Sequence, residues 1–380
     1  MKTFTYDLVQ CHERVWHDWE NFTETLTSDL QDFRKQNPNT PVEVIFNYTC
    51  EGTMWMVNGS IFYKAIHEFA KKYNIDCKNI TYNGSNEKIQ ESYDNWHRLY
   101  SDTSEKINVN SECFGLYLYR KNSDYYDKLI YTKDAPTHLR SKKYNCLNAN
   151  MMPHRLLFML AMQQNGLIDT ENTYTSFHAY PELLNPGDHD PILKHRKWAE
   201  VLTLDFTKQL PIQFDISGDW ESIYGKIFEH YPEVNGLDWN KVGDYRYIYE
   251  DCYFTITTES SESHTLCDYH WDDKVNDYFR SFHNEMFITE KITRPILNLH
   301  PQIIYGASGT LEHLKSLGYK TFSDYWDEDY DQLNGERKLY AIMDLITDLG
   351  SRPLHDLHDM YWDMMPILKH NQAVLLDTII

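Results

Sequence analysis

Two periods of apolar spacing run through the first third of the chain. Val15, Trp16, Trp19, Phe22, Leu26, Leu30 and Phe33 recur at helical intervals, so residues 1–40 read as one or two amphipathic helices closed by Asn37-Pro38-Asn39. Pro41 to Tyr48 then reads as a buried strand, and Asn58-Gly59-Ser60 leads into a helix through Ile61, Ala65, Ile66, Phe69 and Ala70. Lys78 to Tyr82 is a second strand, closed by Asn83-Gly84. Strand, helix and strand in that order imply an α/β domain with parallel pairing. From 86 to 135 the periodicity weakens, and only Cys113 to Tyr119 reads clearly as a strand.

A second unit begins near Lys142. Lys142 to Asn148 is a candidate strand, Pro153 can open a helix at its first position, and Asn165-Gly166 closes that helix. Residues 181–250 carry Pro, Gly, Asp and Trp without a period. Order returns at Asp251 to Ser260, a β-branched and aromatic strand ending in Glu259. Phe287 to Leu297 then leads into the apolar run Ile303-Ile304-Tyr305 and the turn Gly306-Ala307-Ser308-Gly309. Pro295 interrupts this stretch: the helix starts either near Thr293, or at Thr289 with a kink. Thr310 can cap a helix to Leu317 that Gly318 ends, and 336–380 read as helices broken at Pro353.

Composition narrows the partners. The 380 residues carry a net charge of −21, which gives polyanions no global attraction. Local basic clusters at His138 to Lys143 and Lys194 to Lys197 stand against that average. Seven cysteines, odd in number and without a CxxC pair, fit reduced thiols in the cytoplasm of the producing cell or an infected host. No run of 18 apolar residues occurs, so no membrane span is expected.

Glu290-Lys291 pairs a carboxylate that can hold hydroxyls with an ammonium that seeks phosphate. The same pair also suits an ordinary helix start. Phe287-Ile-Thr-Glu-Lys-Ile-Thr-Arg-Pro-Ile-Leu297 resembles the donor-site motif of the alpha-fucosyltransferase family, in which Thr-Glu-Lys precedes a helix and a Pro-Val-Val-Leu-Gly strand. Pro301 to Gly306 stands in the place of that strand, and Phe254 to Ser260 is similar to the family's preceding Phe-Glu-Asn-Ser strand. Asn148 to Arg155 resembles its upstream Ser-Asn turn and Arg-containing helix. The resemblance covers about residues 142–345. It implies that Arg155, Glu290 and Lys291 bind a nucleotide diphosphate, with Glu259, Thr289 and Arg294 on the donor side. Pro295 and Tyr305 depart from the pattern, so the sugar is not specified as fucose.

The expectation is therefore a glycosyltransferase of two Rossmann-like domains facing across a cleft, the GT-B plan. Residues 1–139 would take the acceptor, 140–345 the donor, and helices in 346–380 would pack back on the joint. The donor is a GDP- or UDP-linked sugar, no metal is required, and the acceptor is a glycan or a hydroxylated base in phage DNA. Glu51, after the first buried strand, is the candidate base, although a solvated turn residue is its commoner role. Asp188-His189-Asp190 lies in a Pro-Gly loop and reads as a turn rather than a metal motif. His355, His358, Asp359 and Asp363 read as a solvated helix face. The competing reading is an inactive carbohydrate- or nucleotide-binding protein with the same fold.

Overall fold

A computed structural model of the chain has two β-sheets with helices packed on them. It describes residues 2–7, 28–33, 35–37, 42–48, 56–111, 132–148, 153–169, 171–178, 213–214, 246–259 and 286–379. No helix among them is long and apolar enough to cross a membrane. The chain divides into two compact units, Met1–Tyr117 with Asp273–Phe287, and Leu118–Asp272 with Ile288–Ile380. The chain thus revisits its first unit late, a path that no local pattern announces. Met286 is held there by its carbonyl, which accepts from Glu87 N at 2.7 Å.

The first unit runs β1 (Lys2–Asp7), β2 (Val42–Tyr48), α1 (Met56–Tyr73), β3 (Ile80–Gly84), α2 (Ile89–Tyr100) and β4 (Asn108–Ser111). Its four strands are parallel and ordered β1-β2-β3-β4. Right-handed crossovers that always step the same way place their helices on one face. The packing agrees: Phe46 meets Phe69 of α1 at 5.6 Å, Tyr63 meets Tyr82 at 5.9 Å, and Phe33 of the helical segment 28–33 meets Phe4 at 5.3 Å. Val42, Val44, Phe46, Ile80 and Tyr82 are buried on this face. The opposite face carries Thr5, Glu43, Asn47, Thr81, Asn83 and Asn110, with Ile45 its one aliphatic member among the described strands.

This unit departs from the sequence reading in several ways. Its strand order is monotonic, so the described strands lack the reversal of a Rossmann fold. Lys2–Asp7 is a strand rather than part of a helix; six residues with Phe4 as the only buried one shown are too few for a period to register. α1 starts before Asn58-Gly59-Ser60, which lie inside it. α2 and β4 fill the region where the pattern weakens, and β4 (Asn-Val-Asn-Ser) has a single apolar residue to signal it. The expected strand Cys113 to Tyr119 lies outside the described residues.

The second unit runs β5 (Lys142–Asn148), α3 (Pro153–Gln164), β6 (Thr173–His178), β7 (Gln213–Phe214), α4 (Arg246–Asp251), β8 (Cys252–Thr258), α5 (Glu290–Leu297), β9 (Gln302–Tyr305), α6 (Thr310–Ser316), α7 (Gly335–Ser351) and α8 (Leu354–Ile379). The sheet order is β7-β6-β5-β8-β9, parallel except for β7. From β5 the chain steps outward to β6, then returns to build β8 and β9 on the other side. That reversal is a topological switch point, and it opens at the carboxyl ends of β5 and β8. Helices cover both faces. α3 packs where Phe158 meets Tyr305 at 4.8 Å, and α5 lies over Thr257 and Gln302. α8 belongs to this unit: Tyr361 Oη donates to Leu299 O at 3.0 Å, and Gln372 Nε2 donates to Thr132 O at 2.8 Å.

Both candidate starts for the Pro295 helix resolve to one. Thr289 is the N-cap, and Pro295 sits inside α5. The amide that proline lacks would have bonded Lys291 O, and Thr257 Oγ1 stands 3.4 Å from that oxygen instead. Gln302 Nε2 donates to Ile292 O at 3.1 Å. The helix ends in a Schellman turn, with His300 N bonded to Pro295 O at 2.9 Å and Leu299 at φ 51 where glycine is usual. Burial of the Leu299 side chain offsets the backbone cost of about 1–2 kcal/mol.

Thr310, expected to cap the next helix, donates its hydroxyl back to Ala307 O at 2.6 Å. The cap comes from a distance: Asp331, buried, accepts from Leu311 N at 3.1 Å and Glu312 N at 3.4 Å. Asp331→Ala should therefore destabilise the second unit by about 1–2 kcal/mol, read as a lower urea midpoint with unchanged slope.

Candidate functional site

Glu259 is the first residue beyond β8 and is buried. Its carboxylate accepts from Thr289 N at 2.7 Å and from Thr289 Oγ1 at 2.8 Å. Thr289 Oγ1 in turn caps α5 by accepting from Lys291 N at 3.2 Å. The backbone of Glu259 is equally engaged. Its N–H donates to Tyr305 O at 2.9 Å, and its carbonyl accepts from His154 Nε2 at 2.8 Å and Arg155 Nη2 at 3.2 Å. One residue thus ties the ends of β8 and β9 to the starts of α3 and α5.

The neighbours complete a polar floor at the switch point. At the end of β5, Asn148 Oδ1 accepts from Thr258 Oγ1, and its amide lies 3.4 Å from Met159 Sδ of α3. Gly306 follows β9, and a Cβ there would stand 3.0 Å from Glu259 Cβ, so the turn can approach closely because it is glycine. Lys338 of α7 is fully buried and donates from Nζ to Gly306 O at 2.8 Å and Ala307 O at 3.4 Å.

Glu290 and Lys291 form the outer layer. Their side chains are 15% and 21% exposed and paired at 3.1 Å. Burial pushes the Glu290 carboxyl up, but the Lys291 and Arg294 charges, with hydrogen bonds from the Lys291 side chain and the Glu290 backbone, outweigh it and hold the group below the usual carboxylate range. Glu290 Oε2 is buried and accepts no hydrogen bond among the described residues. Arg294, one turn on, is partly exposed.

The histidines here are structural donors. Burial, with the Arg155 and Lys291 charges, pushes His154 down to about 3, so it is neutral while its Nε2–H serves Glu259 O. His300 is likewise held well below its ordinary value by burial and by Arg140, with its Nε2 at 2.7 Å from Cys252 O.

Of the sequence-derived site residues, Arg155, Glu259, Thr289, Glu290 and Lys291 come together at the switch point, with Arg294 beside them. Glu51, Asp188 to Asp190 and Lys194 to Lys197 lie outside the described residues. Among the described residues no group of three or more His, Cys, Asp or Glu side chains is placed to hold a metal. His358 Nδ1 lies 3.3 Å from Tyr253 Oη, and His355 pairs with Asp356 at 3.0 Å.

The basic cluster His138 to Lys143 sits at the amino edge of this sheet, opposite the switch point. Arg140 is buried against the Tyr361 ring at 3.8 Å and donates to Cys252 O. Lys142 donates to Glu171 O at 2.6 Å, and Lys143 to Gly350 O. These cations are bound into the fold. Lys338 and His154 were missed. Lys338 had a signal, since it shares a helical stripe with Ile342 and Ile346 and is the one charged member of it. Comparison with protein-family models, curated proteins and solved structures finds no match for the chain.

Thr289→Val removes one of the two donors to a buried carboxylate and should cost about 1–3 kcal/mol in a denaturant melt. For pH, the unfolded chain protonates its histidines near pH 6.5 while His154 and His300 stay neutral in the fold. The contribution of His154 should therefore be full above pH 6.5 and be lost as pH drops toward 3, by up to about 1.4 kcal/mol per unit, and His300 acts in the same direction. A His154→Gln variant should show a shallower slope of urea midpoint against pH.

Proposed function

We propose that the chain is a glycosyltransferase that moves a sugar from a GDP- or UDP-linked donor to a hydroxyl acceptor, without a metal, on two α/β domains of the GT-B kind. The observation that carries this reading is the meeting, at the switch point of the second unit, of Arg155 at the start of α3 with Glu290 and Lys291 at the start of α5. Helix starts favour anions, and parallel sheets receive nucleotides at this edge. In this reading the second unit holds the nucleotide diphosphate. Glu290 Oε2, buried without a donor among the described residues, receives a ribose hydroxyl. Lys291 and the Arg155 charge stabilise the negative charge that builds on the leaving diphosphate.

The first unit takes the acceptor, and a neutral glycan suits it better than phage DNA. The net charge of −21 repels a polyanion, and Arg140, Lys142 and Lys143 are already bound into the fold. An inactive nucleotide-binding protein is the second reading. It is favoured by the depth at which Arg155 and Glu259 are buried, bonded to each other's element.

A thermal-shift screen against GDP, UDP, CMP and their sugars separates these readings when paired with a donor-turnover assay. Lys291→Ala should lower turnover about 100- to 1,000-fold while the fold is kept. Unchanged turnover would sink the assignment, and nucleotide binding without turnover in the wild-type chain would select the inactive reading.

A further inference from the structure

The sheet of the first unit carries a row of carboxamides across its carboxyl end. Asn47, Asn83 and Asn110 are in register on β2, β3 and β4, and Asp7 occupies the same register position on β1. Asn110 Nδ2 donates to Asn83 Oδ1 at 3.0 Å, and Asn83 Nδ2 donates to Asn47 Oδ1 at 2.7 Å. The three amides therefore run head to tail across the strands. Asn47 and Asn83 are half-buried and Asn110 is exposed. They lie on the face opposite Phe46 and Tyr82, away from the side on which α1 packs.

The intrinsic strand preference of these residues does not account for the row, although its hydrogen bonds link the strands. Asn and Asp are among the residues depleted in strands, and here they fill one register line on all four. A local rule broken repeatedly at one edge is expected of a functional or strained site. Each carboxamide has two N–H donors and two lone pairs on oxygen. The ladder uses one donor and one acceptor of Asn83, one acceptor of Asn47 and one donor of Asn110. What remains is a line of alternating donors and acceptors on strands about 4.8 Å apart. Hydroxyls on alternate carbons of a pyranose ring have a similar spacing and are themselves both donors and acceptors. The amides are uncharged, on a chain of net charge −21, so the matching ligand is neutral.

We propose that Asn47, Asn83 and Asn110 form a binding site for a neutral saccharide at the carboxyl edge of the first unit. As an acceptor site it rests on the transferase reading; as a saccharide site it does not.

Ligand-observed NMR on the full chain tests it. The probes are the methyl glycosides of glucose, galactose, mannose and N-acetylglucosamine, with glucose 6-phosphate as the charged comparison and GDP and UDP measured on the same samples. At least one methyl glycoside should bind in preference to glucose 6-phosphate. Asn110→Ala, on an exposed edge position that the fold tolerates, should weaken that binding about fivefold, the loss of one hydrogen bond. Asn83→Leu, which cuts the ladder in the middle, should weaken it further, and Asn110→Ser serves as the milder variant if either perturbs the melt. Nucleotide binding should be unchanged in all three. The proposal is overturned if no glycoside binds, or if folded Asn110 and Asn83 variants bind as well as the wild type. Glycoside binding without nucleotide binding would remove the transferase reading and leave this site standing; the reverse would do the opposite.

Discussion

The second unit depends on the capture of Thr289 by Glu259. A carboxylate at the end of a fully buried strand must find donors, because leaving it without them costs more than the net gain from an ordinary hydrogen bond. Here both oxygens are served by one residue, through its amide and its hydroxyl. That fixes where α5 begins, and so where Glu290 and Lys291 stand. The same residue uses its carbonyl to hold His154 and Arg155, fixing the start of α3. Two helices from opposite faces of the sheet are thus aligned on one strand end.

Strand order explains why the two units differ. In the second, the reversal about β5 sends helices to both faces and puts the switch point at the carboxyl edge. In the first, the monotonic order puts the crossovers on one face, and the other face bears Thr, Asn and Glu. Parallel sheets ordinarily bury both faces in apolar side chains. The first unit departs from that pattern, with a polar face and an in-register amide row at its carboxyl edge.

Cations are distributed by role. Arg140 is spent on aromatic rings and a backbone carbonyl at the amino edge, where its stacking suits guanidinium chemistry. Lys338 is spent on the carbonyls of the turn after β9. Lys291 stands at the rim, paired with a carboxylate that has an oxygen left over among the described residues. Burial keeps His154 neutral beside them, so it adds no charge of its own while it holds the strand end.

Local pieces whose signal is short in range are legible along the chain. The strand Lys142–Asn148, the helix opened by Pro153, the break at Pro353 and the grouping of Thr289, Glu290 and Lys291 all follow from residues within one or two turns of each other. The sequence also brought out Arg155 and Glu259, through resemblance rather than periodicity. The remaining features depend on how the chain folds back on itself. Strand order, the late return of the chain to its first unit, the cap that Asp331 gives to a helix 20 residues earlier, and the amide row from three strands are set by pairing between distant segments. A one-dimensional pattern records which face of an element is apolar. It does not record which element that face meets, and partners are chosen by the hydrogen bonds and buried area available after the chain has closed on itself.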